Sequence, residues 1–286
     1  MKAVICTKYG PPEVLQIKDV EKPLPKPNEI LIKILATTVH IGDTKIRRFE
    51  PGLGPVKDFF FKPLMRIIIG FRKPRKEILG MELSGEIEAI GKDVSLFKIG
   101  DPVLASTEFR FGTYAEYCCL PENGIIAIKP ELMTHEEAAP ISNGGITALI
   151  HLRKANIREG QKVLIYGASG SVGTYAIQIA KYYGAEVTAV CSTSNLELVK
   201  SLGSDKVIDY TKEDYTQSGE IYDVIYDAVG KIENSKRKKS LSKQGQYLNV
   251  LNPKGNIKLK VEDLYTLKDM CDSGKLKTLI DRRYTM

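Results

Sequence analysis

The run Gly167-Ala168-Ser169-Gly170-Ser171-Val172-Gly173 has the residue types and spacing to hold a dinucleotide pyrophosphate. An apolar β-rich stretch, Val163 to Tyr166, leads into it, and a helical pattern follows, with apolar residues at Val172, Ala176, Ile179, Ala180 and Tyr183. A strand that turns into a helix N-terminus presents free backbone N–H groups and the positive end of a dipole to the phosphates. Gly170 lets backbone and phosphate approach without a Cβ between them, and Gly173 lets the helix sit close on the strand. Ala168 stands where the first glycine of the fingerprint usually falls, so the motif reads A-x-G-x-x-G. The competing reading is a tight strand–helix turn with no ligand, and the surrounding pattern has to decide between them.

An acid about twenty positions after such a turn, at the end of the second strand, would bind the ribose hydroxyls of NAD. That place reads Val190-Cys191-Ser192-Thr193-Ser194-Asn195, with no acid until Glu197. A carboxylate would repel a 2′-phosphate, whereas Ser192, Thr193 and Ser194 tolerate it. NADPH is therefore the expected cofactor ahead of NADH. The alternative is that these hydroxyls only cap a helix. Asp227-Ala228-Val229-Gly230 ends a further strand, and the carboxyl ends of such strands line a cofactor crevice. The chain has no G-x-x-x-x-G-K-[ST], which argues against a P-loop nucleotidase.

The elements that must position these residues alternate. After the turn come strand-like Ala185 to Cys191, a short helix at Asn195 to Leu202, and strands at Lys206 to Tyr210, Tyr222 to Val229 and Gln246 to Leu251. Alternation of this kind predicts βαβ units on a parallel sheet. Residues 1–125 read differently, as short strands (Ala3 to Cys6, Leu15 to Val20, Glu29 to Ala36, Glu82 to Ile90, Val103 to Ala105, Tyr114 to Leu120) broken by Gly and Pro. They predict a compact barrel-like domain. Thr134 followed by Glu137 fits a helix capping box.

A chain of 286 residues can hold two domains of ordinary size. No apolar run approaches a membrane span, the start MKAVICTKYG lacks a signal-peptide core, and the cysteine positions 6, 118, 119, 191 and 271 include no C-x-x-C. A reducing compartment with free thiols, the cytoplasm, is the expectation. Cys118 and Cys119 adjoin in a strand, so their side chains should point to opposite faces. The net charge of +7 is concentrated: residues 45–76 hold ten Lys/Arg against Glu50 and Asp58. No nucleic-acid module accompanies them, so a nucleic-acid partner is not expected.

The motifs Lys-Ala-Val with Tyr-Gly-Pro-Pro-Glu-Val-Leu, Leu-Gly-Met-Glu-Leu-Ser-Gly, Phe-Lys-Ile-Gly-Asp, Gly-Thr-Tyr-Ala-Glu-Tyr and Gly-Ala-Ser-Gly-Ser-Val-Gly occur in that order. Together they resemble the medium-chain dehydrogenase/reductases, and within them the zinc-free quinone oxidoreductase (zeta-crystallin-like) branch. The resemblance runs from residue 1 to about 250. It implies an α/β protein: an N-terminal GroES-like barrel over residues 1–125, a Rossmann domain with a doubly wound parallel sheet over 126–272, and a truncated return segment over 273–286. It also implies an active site in the cleft between the two domains.

The same resemblance places the zinc ligands of related alcohol dehydrogenases at His40, Met81 and Asn143. An imidazole, a thioether and an amide do not make a tetrahedral zinc site, so no metal is expected. Without a Lewis acid an alkoxide is not stabilised, and reduction of a quinone or an α,β-unsaturated carbonyl is favoured over alcohol oxidation. His40 and Asp43 match the family's active-site turn. His40 would donate a proton or hydrogen bond to the substrate oxygen or merely fill space, and Asp43 would order the turn. Tyr210 matches a 2′-phosphate contact, Lys200 is a substitute for the missing clamp residue, Thr147 matches a residue near the nicotinamide, and Ala228 to Gly230 match the ribose or nicotinamide end.

The family pattern fails after Leu251, where a sixth strand and the end of the barrel are expected to be missing, with the family dimer compromised. Residues 57–76 combine apolar bulk, Phe59 to Phe61 and Met65 included, with seven Lys/Arg. They suit either a lid whose apolar face packs internally or weak contact with an anionic membrane surface. Two other roles compete with an NADPH-dependent quinone or enone reductase. One is an inactive cofactor-binding relative acting as a redox sensor; the other is a membrane- or partner-binding protein.

Overall fold

The computed structural model describes residues 1–50, 62–64, 66–251 and 259–286. Phe59 to Phe61 and Met65, and Pro253 and Gly255 after the fifth strand of the nucleotide sheet, lie outside the described residues. The chain divides into two compact units, Met1–Ser142 with Ile280–Met286, and Asn143–Leu279.

In the first unit, β1 (Lys2–Cys6) pairs antiparallel with β2 (Leu15–Asp19). Five further strands, β3 (Glu29–Thr37), β4 (Glu82–Ile90), β5 (Pro102–Ser106), β6 (Tyr117–Pro121) and β7 (Ile125–Ile128), form one antiparallel sheet in the order β6-β3-β4-β5-β7. Its core is built by residues with no exposed surface, among them Ile30, Ile32, Leu83 and Val103. The second half of β4 alternates with period two, exposed Glu86 and Glu88 flanking buried Ile87. Cys118 joins this core while Cys119 points to the other face, as strand alternation requires, and all five cysteines are free. β7 was not expected, because Ile-Ile-Ala-Ile is short and continuous rather than alternating. Between β3 and β4 lies α1 (Ile41–Arg48), and α2 (His135–Ala138) begins with the Thr134–Glu137 capping box.

The second unit opens with α3 (Gly144–Ala155). It continues as β8 (Lys162–Tyr166), α4 (Ser171–Tyr182), β9 (Glu186–Cys191), α5 (Leu196–Ser201), β10 (Lys206–Asp209), β11 (Tyr222–Asp227), α6 (Asn234–Ser240), β12 (Leu241–Asn249) and α7 (Val261–Asp272). All five strands are parallel, in the order β10-β9-β8-β11-β12. The chain moves outward from β8 to β9 and β10 and then returns to the other side of β8. The order therefore reverses between β8 and β11, where an open parallel sheet forms its crevice. β12 begins five residues before the apolar run that announced it, and its pairing with β11 slips between Tyr222↔Leu241 and Val224↔Gln246. The polar Ser242-Lys243-Gln244-Gly245 accommodates that slip, and it hid the start of the strand from hydropathy. Among the described residues β12 stands at the end of the order.

Residues beyond α7 are tied down locally. The Gln178 side chain accepts from the Lys277 N–H at 2.8 Å and donates to the Lys277 carbonyl at 3.0 Å, and Tyr175 Oη meets Thr278 Oγ1 at 2.8 Å. Arg153 on α3 pairs with Asp263 on α7, whose side chain is buried.

Leu164, at the centre of β8, is fully buried against Val190, Ile208 and Ile225. Leu164→Ala should cost about 2–5 kcal/mol by loss of transfer energy and an unfilled cavity, read as a lowered urea midpoint at an unchanged slope.

Candidate functional site

β8 ends at Tyr166 and the chain turns at Gly167, whose φ of 79° lies in the left-handed region. The N–H groups of Gly167 and Ala168 both donate to the Val190 carbonyl, at 3.1 and 3.0 Å, which ties the turn to the end of β9. Gly170 is the N-cap of α4; no side chain caps it, and the first helical turn carries no acid. The N–H groups of Ser171, Val172 and Gly173 thus have no carbonyl behind them in the helix, and they sit at its positive end. The two later glycines are bare for different reasons. A Cβ at Gly173 would stand 2.2 Å from the Gly167 carbonyl oxygen, so the helix could not seat on the turn. A Cβ at Gly170 would meet nothing nearer than that same oxygen at 3.4 Å, which leaves open space beside an uncapped helix end. That space fits a pyrophosphate.

Three other strand ends surround the turn. Asp227, fully buried at the end of β11, accepts four hydrogen bonds. Val229 N–H and Gly230 N–H donate to Oδ1 at 3.1 and 2.7 Å, and Ile232 N–H and Tyr247 Oη donate to Oδ2 at 2.7 and 2.9 Å. One carboxylate therefore shapes the loop that contains Ala228, Val229 and Gly230. That loop meets the turn directly, because a Cβ at Gly167 would fall 2.2 Å from Val229 Cγ2.

At the end of β9, Asn195 Nδ2 donates to Ser192 Oγ at 2.9 Å and Ser192 Oγ lies 3.3 Å from Ser194 Oγ. Thr193 behaves differently. It donates to Asp209 Oδ2 at 2.5 Å, and Thr211 donates to Oδ1 of the same carboxylate through its hydroxyl at 2.7 Å and its N–H at 3.0 Å. These bonds, led by Thr193, pull the Asp209 pKa down to about 2, so it is charged at every working pH. The sequence carries no acid just after the second strand, yet the β9–β10 register sets Asp209 opposite Cys191 and supplies one from the third strand. Thr193 is thereby committed as a donor to Asp209, while Ser192 and Ser194 stay clear of that carboxylate. Lys212 Nζ lies 3.6 Å from Asp209 Oδ2. Tyr210 is half-exposed, its N–H donating to the Cys191 carbonyl. With Tyr166, Lys212, Asp214, Tyr215 and Lys236 it lines a hollow of 540 Å³ beside these strand ends. Lys200 is exposed on α5. Thr147 is the one residue between Gly144 and Leu152 on α3 that is not buried, and its carbonyl faces His151 Nδ1 at 2.7 Å.

In the first unit, His40 is the N-cap of α1, and its Nδ1 accepts the Gly42 N–H at 3.0 Å. An acceptor at Nδ1 places the proton of the neutral ring on Nε2. Burial, with help from the Lys45 charge, holds the His40 pKa below the usual imidazole value. With its pKa lowered and Nδ1 engaged, the His40 ring offers an Nε2–H as hydrogen-bond donor. A Cβ at Gly42 would lie 2.9 Å from His40 Nδ1 and 3.3 Å from Met81 Sδ, so imidazole and thioether face the same bare backbone position. Asp43 is 2% exposed. Gly80 N–H donates to its Oδ1 at 3.1 Å and Tyr114 Oη to its Oδ2 at 3.0 Å, so both oxygens brace the turn. Burial raises the Asp43 pKa against those bonds, and it raises that of Tyr114 as well.

The structure therefore gathers Gly167 to Gly173, Ser192 to Ser194, Tyr210 and Ala228 to Gly230 at one edge of the parallel sheet, and it places His40 and Asp43 on one turn of the other unit. Sequence reasoning missed Asp209 and Lys212. The signal was a strand ending Ile-Asp-Tyr-Thr-Lys, which acquires meaning only with the register of its neighbour.

Residues 26–130 match the alcohol dehydrogenase GroES-like domain, and residues 171–273 match the zinc-binding dehydrogenase family. The chain is similar to a 2-methylene-furan-3-one reductase of Solanum lycopersicum, 34% identical over 298 residues that cover 98% of this chain and 71% of that protein. To the mitochondrial NAD(P)H oxidoreductase RTN4IP1 of Mus musculus it is 37% identical over 242 residues, covering 80% of this chain and 60% of that protein's length. Among solved structures, a quinone oxidoreductase from Coxiella burnetii superposes with a TM-score of 0.78 at 28% identity, over 98% of this chain and 90% of that one.

Gly170→Val should fold with a near-unchanged melt yet lose nicotinamide-dinucleotide binding, whereas Gly173→Val should lower the melting temperature itself. Fluorescence titration beside thermal denaturation separates the two, and a Gly170→Val protein that still binds would refute the assignment of the open space.

All three histidines, His40, His135 and His151, are held below the ordinary imidazole pKa, chiefly by burial. As pH falls below about 6.5 the unfolded chain takes up protons that the folded rings refuse, so stability is present above that pH and is lost below it. The melt at pH 5 should lie below that at pH 7, and the difference should shrink in His40→Gln.

Proposed function

This chain belongs to the medium-chain dehydrogenase/reductase superfamily of NAD(P)H-dependent oxidoreductases, and on that premise we propose that it passes hydride from NADPH to a quinone or an α,β-unsaturated carbonyl without zinc. The observation that carries the reading is the uncapped start of α4 beside the open space at Gly170. Ser171, Val172 and Gly173 N–H groups would hold the pyrophosphate, and the loop shaped by Asp227 would border the dinucleotide through Ala228 to Gly230. Ser192 and Ser194 would donate to the 2′-phosphate, with Tyr210 and Lys212 beside them.

When bound, the reduced nicotinamide supplies the hydride. The acceptor gains one hydride and one proton, the proton coming from water. A quinone or enone spreads the incoming charge onto oxygen, and a neutral His40 with its proton on Nε2 is suited to hydrogen-bond that oxygen as charge develops. The His40 ring needs no charge for this, in keeping with its lowered pKa. Asp43 and Tyr114 act through the turn, holding the backbone that carries His40. The donor chemistry supports a zinc-free reaction: His40 has Met81 beside Gly42, and a thioether is a poor zinc ligand. Among the described residues no three His, Cys, Asp or Glu side chains stand together as a metal site. The relatives' printed names, a furanone reductase and a quinone oxidoreductase, agree with conjugated acceptors.

Turnover of a quinone and enone panel with NADPH should be measurable and indifferent to chelators. Binding without turnover would favour the redox-sensor reading, and activity lost on chelation and restored by Zn²⁺ would overturn the zinc-free one. NADPH should bind more tightly than NADH. Asp209→Asn should widen that preference by roughly fivefold to tenfold, because it removes a charge beside the 2′-phosphate and releases the Thr193 hydroxyl. Paired titrations of both cofactors with both proteins decide, and tighter NADH binding by the unaltered chain would sink the preference.

A further inference from the structure

The strongest unassigned feature is the basic segment of the first unit. Among its described apolar residues, Leu64, Ile67, Ile68 and Phe71 are 51%, 64%, 64% and 69% exposed. Lys62, Arg66, Arg72, Lys73, Arg75 and Lys76 surround them and are exposed too. Exposed apolar side chains in one contiguous stretch mark an interaction surface rather than ordinary surface scatter.

This stretch is held in place on the body of the unit. Tyr9 Oη donates to the Gly70 carbonyl at 2.9 Å, and the Arg66 guanidinium lies 5.1 Å from the centre of the Phe49 ring. Arg66 also closes the turn on itself, donating to the Phe71 carbonyl at 3.0 Å, while Arg75 N–H donates to the Ile69 carbonyl at 2.6 Å. These bonds tie Arg66 and the Ile69–Phe71 end of the stretch to the body of the unit.

We infer that residues 62–64 and 66–76 form an interfacial membrane-binding surface for anionic lipid, with Ile67, Ile68 and Phe71 entering the acyl boundary and the surrounding lysines and arginines meeting the headgroups. Aliphatic and aromatic bulk rimmed by cations is the composition that seats a segment at a lipid interface. The charge selects among occupants. Among the described residues 62–64 and 66–77, six cations accompany one acid, Glu77, which is paired with Lys73, so the surface suits a negatively charged partner. A second copy would bring the same positive charge and be repelled. Nucleic acid would leave Ile67 and Ile68 without an apolar environment. No described helix is long and apolar enough to cross a membrane, so the contact is with the surface. The inference does not depend on which electron acceptor the protein uses.

The chain contains no tryptophan, so Phe71→Trp in the full chain introduces a sole reporter at the proposed point of insertion. With vesicles of phosphatidylcholine and phosphatidylglycerol at low salt, its emission should shift to the blue and be quenched by brominated acyl chains. Pure phosphatidylcholine vesicles should leave it unchanged, and raised salt should reverse the shift. Co-sedimentation of the tryptophan-free chain should fall at least tenfold in the charge-preserving Ile67→Ser/Ile68→Ser variant. Each cation neutralised among Arg72, Lys73, Arg75 and Lys76 should weaken it on the order of fivefold. The proposal is overturned by unaltered emission on anionic vesicles or by full binding of the serine variant. A blue shift that follows protein concentration without lipid would mean self-association, and an equal shift on heparin or duplex DNA would mean a polyanion partner. Either result rejects the membrane surface.

Discussion

The candidate nucleotide edge of the parallel sheet depends on an absence, the missing side chain at Gly173. With the Gly167 carbonyl oxygen only 2.2 Å from where a Cβ would stand, α4 can rest on the end of β8 and on nothing bulkier. That contact aims the free N–H groups of the helix at the space beside Gly170. It also lets Gly167 pack under Val229, so that the loops after β8 and β11 meet. A larger residue would push the helix off the strand and separate every group that the sheet brings together here. Helix dipole, open space and neighbouring loop are consequences of one close approach.

Three carboxylates hold the candidate site by spending their oxygens on nearby donors, and their environments differ. Asp227 is buried and receives four donors, three of them backbone N–H groups, which fold a loop around it. Asp209 receives two threonine hydroxyls and an N–H, and those bonds outweigh burial enough to take its pKa to about 2. At Asp43 burial outweighs the bonds from the Gly80 N–H and the Tyr114 phenol, and its pKa is raised. Desolvation and hydrogen bonding thus oppose one another at Asp209 and Asp43, and bonding wins at the first and burial at the second.

Much of the architecture was legible along the chain. The glycine turn, the alternation of strands and helices after it, the capping box at Thr134 and the opposite faces of Cys118 and Cys119 all arise within a few residues of sequence. The start of β12 was not legible, because Ser242 to Gly245 carry no apolar alternation and are held as strand by pairing with β11. Nor was β7, whose four residues earn their place by pairing with β5. In the first unit the motif around His40 marked a turn, but the Gly42 N–H on Nδ1 decided which ring nitrogen carries the proton.

Cofactor preference divides most sharply between the two levels. By itself the sequence determined the glycine turn and the uncapped helix start after it, because glycine spacing and helix capping are local properties of the backbone. It also determined the poor zinc chemistry of His40 and Met81, since ligand softness belongs to the residue type. Only the tertiary structure decided that Asp209 would reach the end of β9. Residues 191 and 209 are neighbours solely through the register of two parallel strands, and the hydrogen bonds that commit Thr193 to Asp209 exist only once that register is formed.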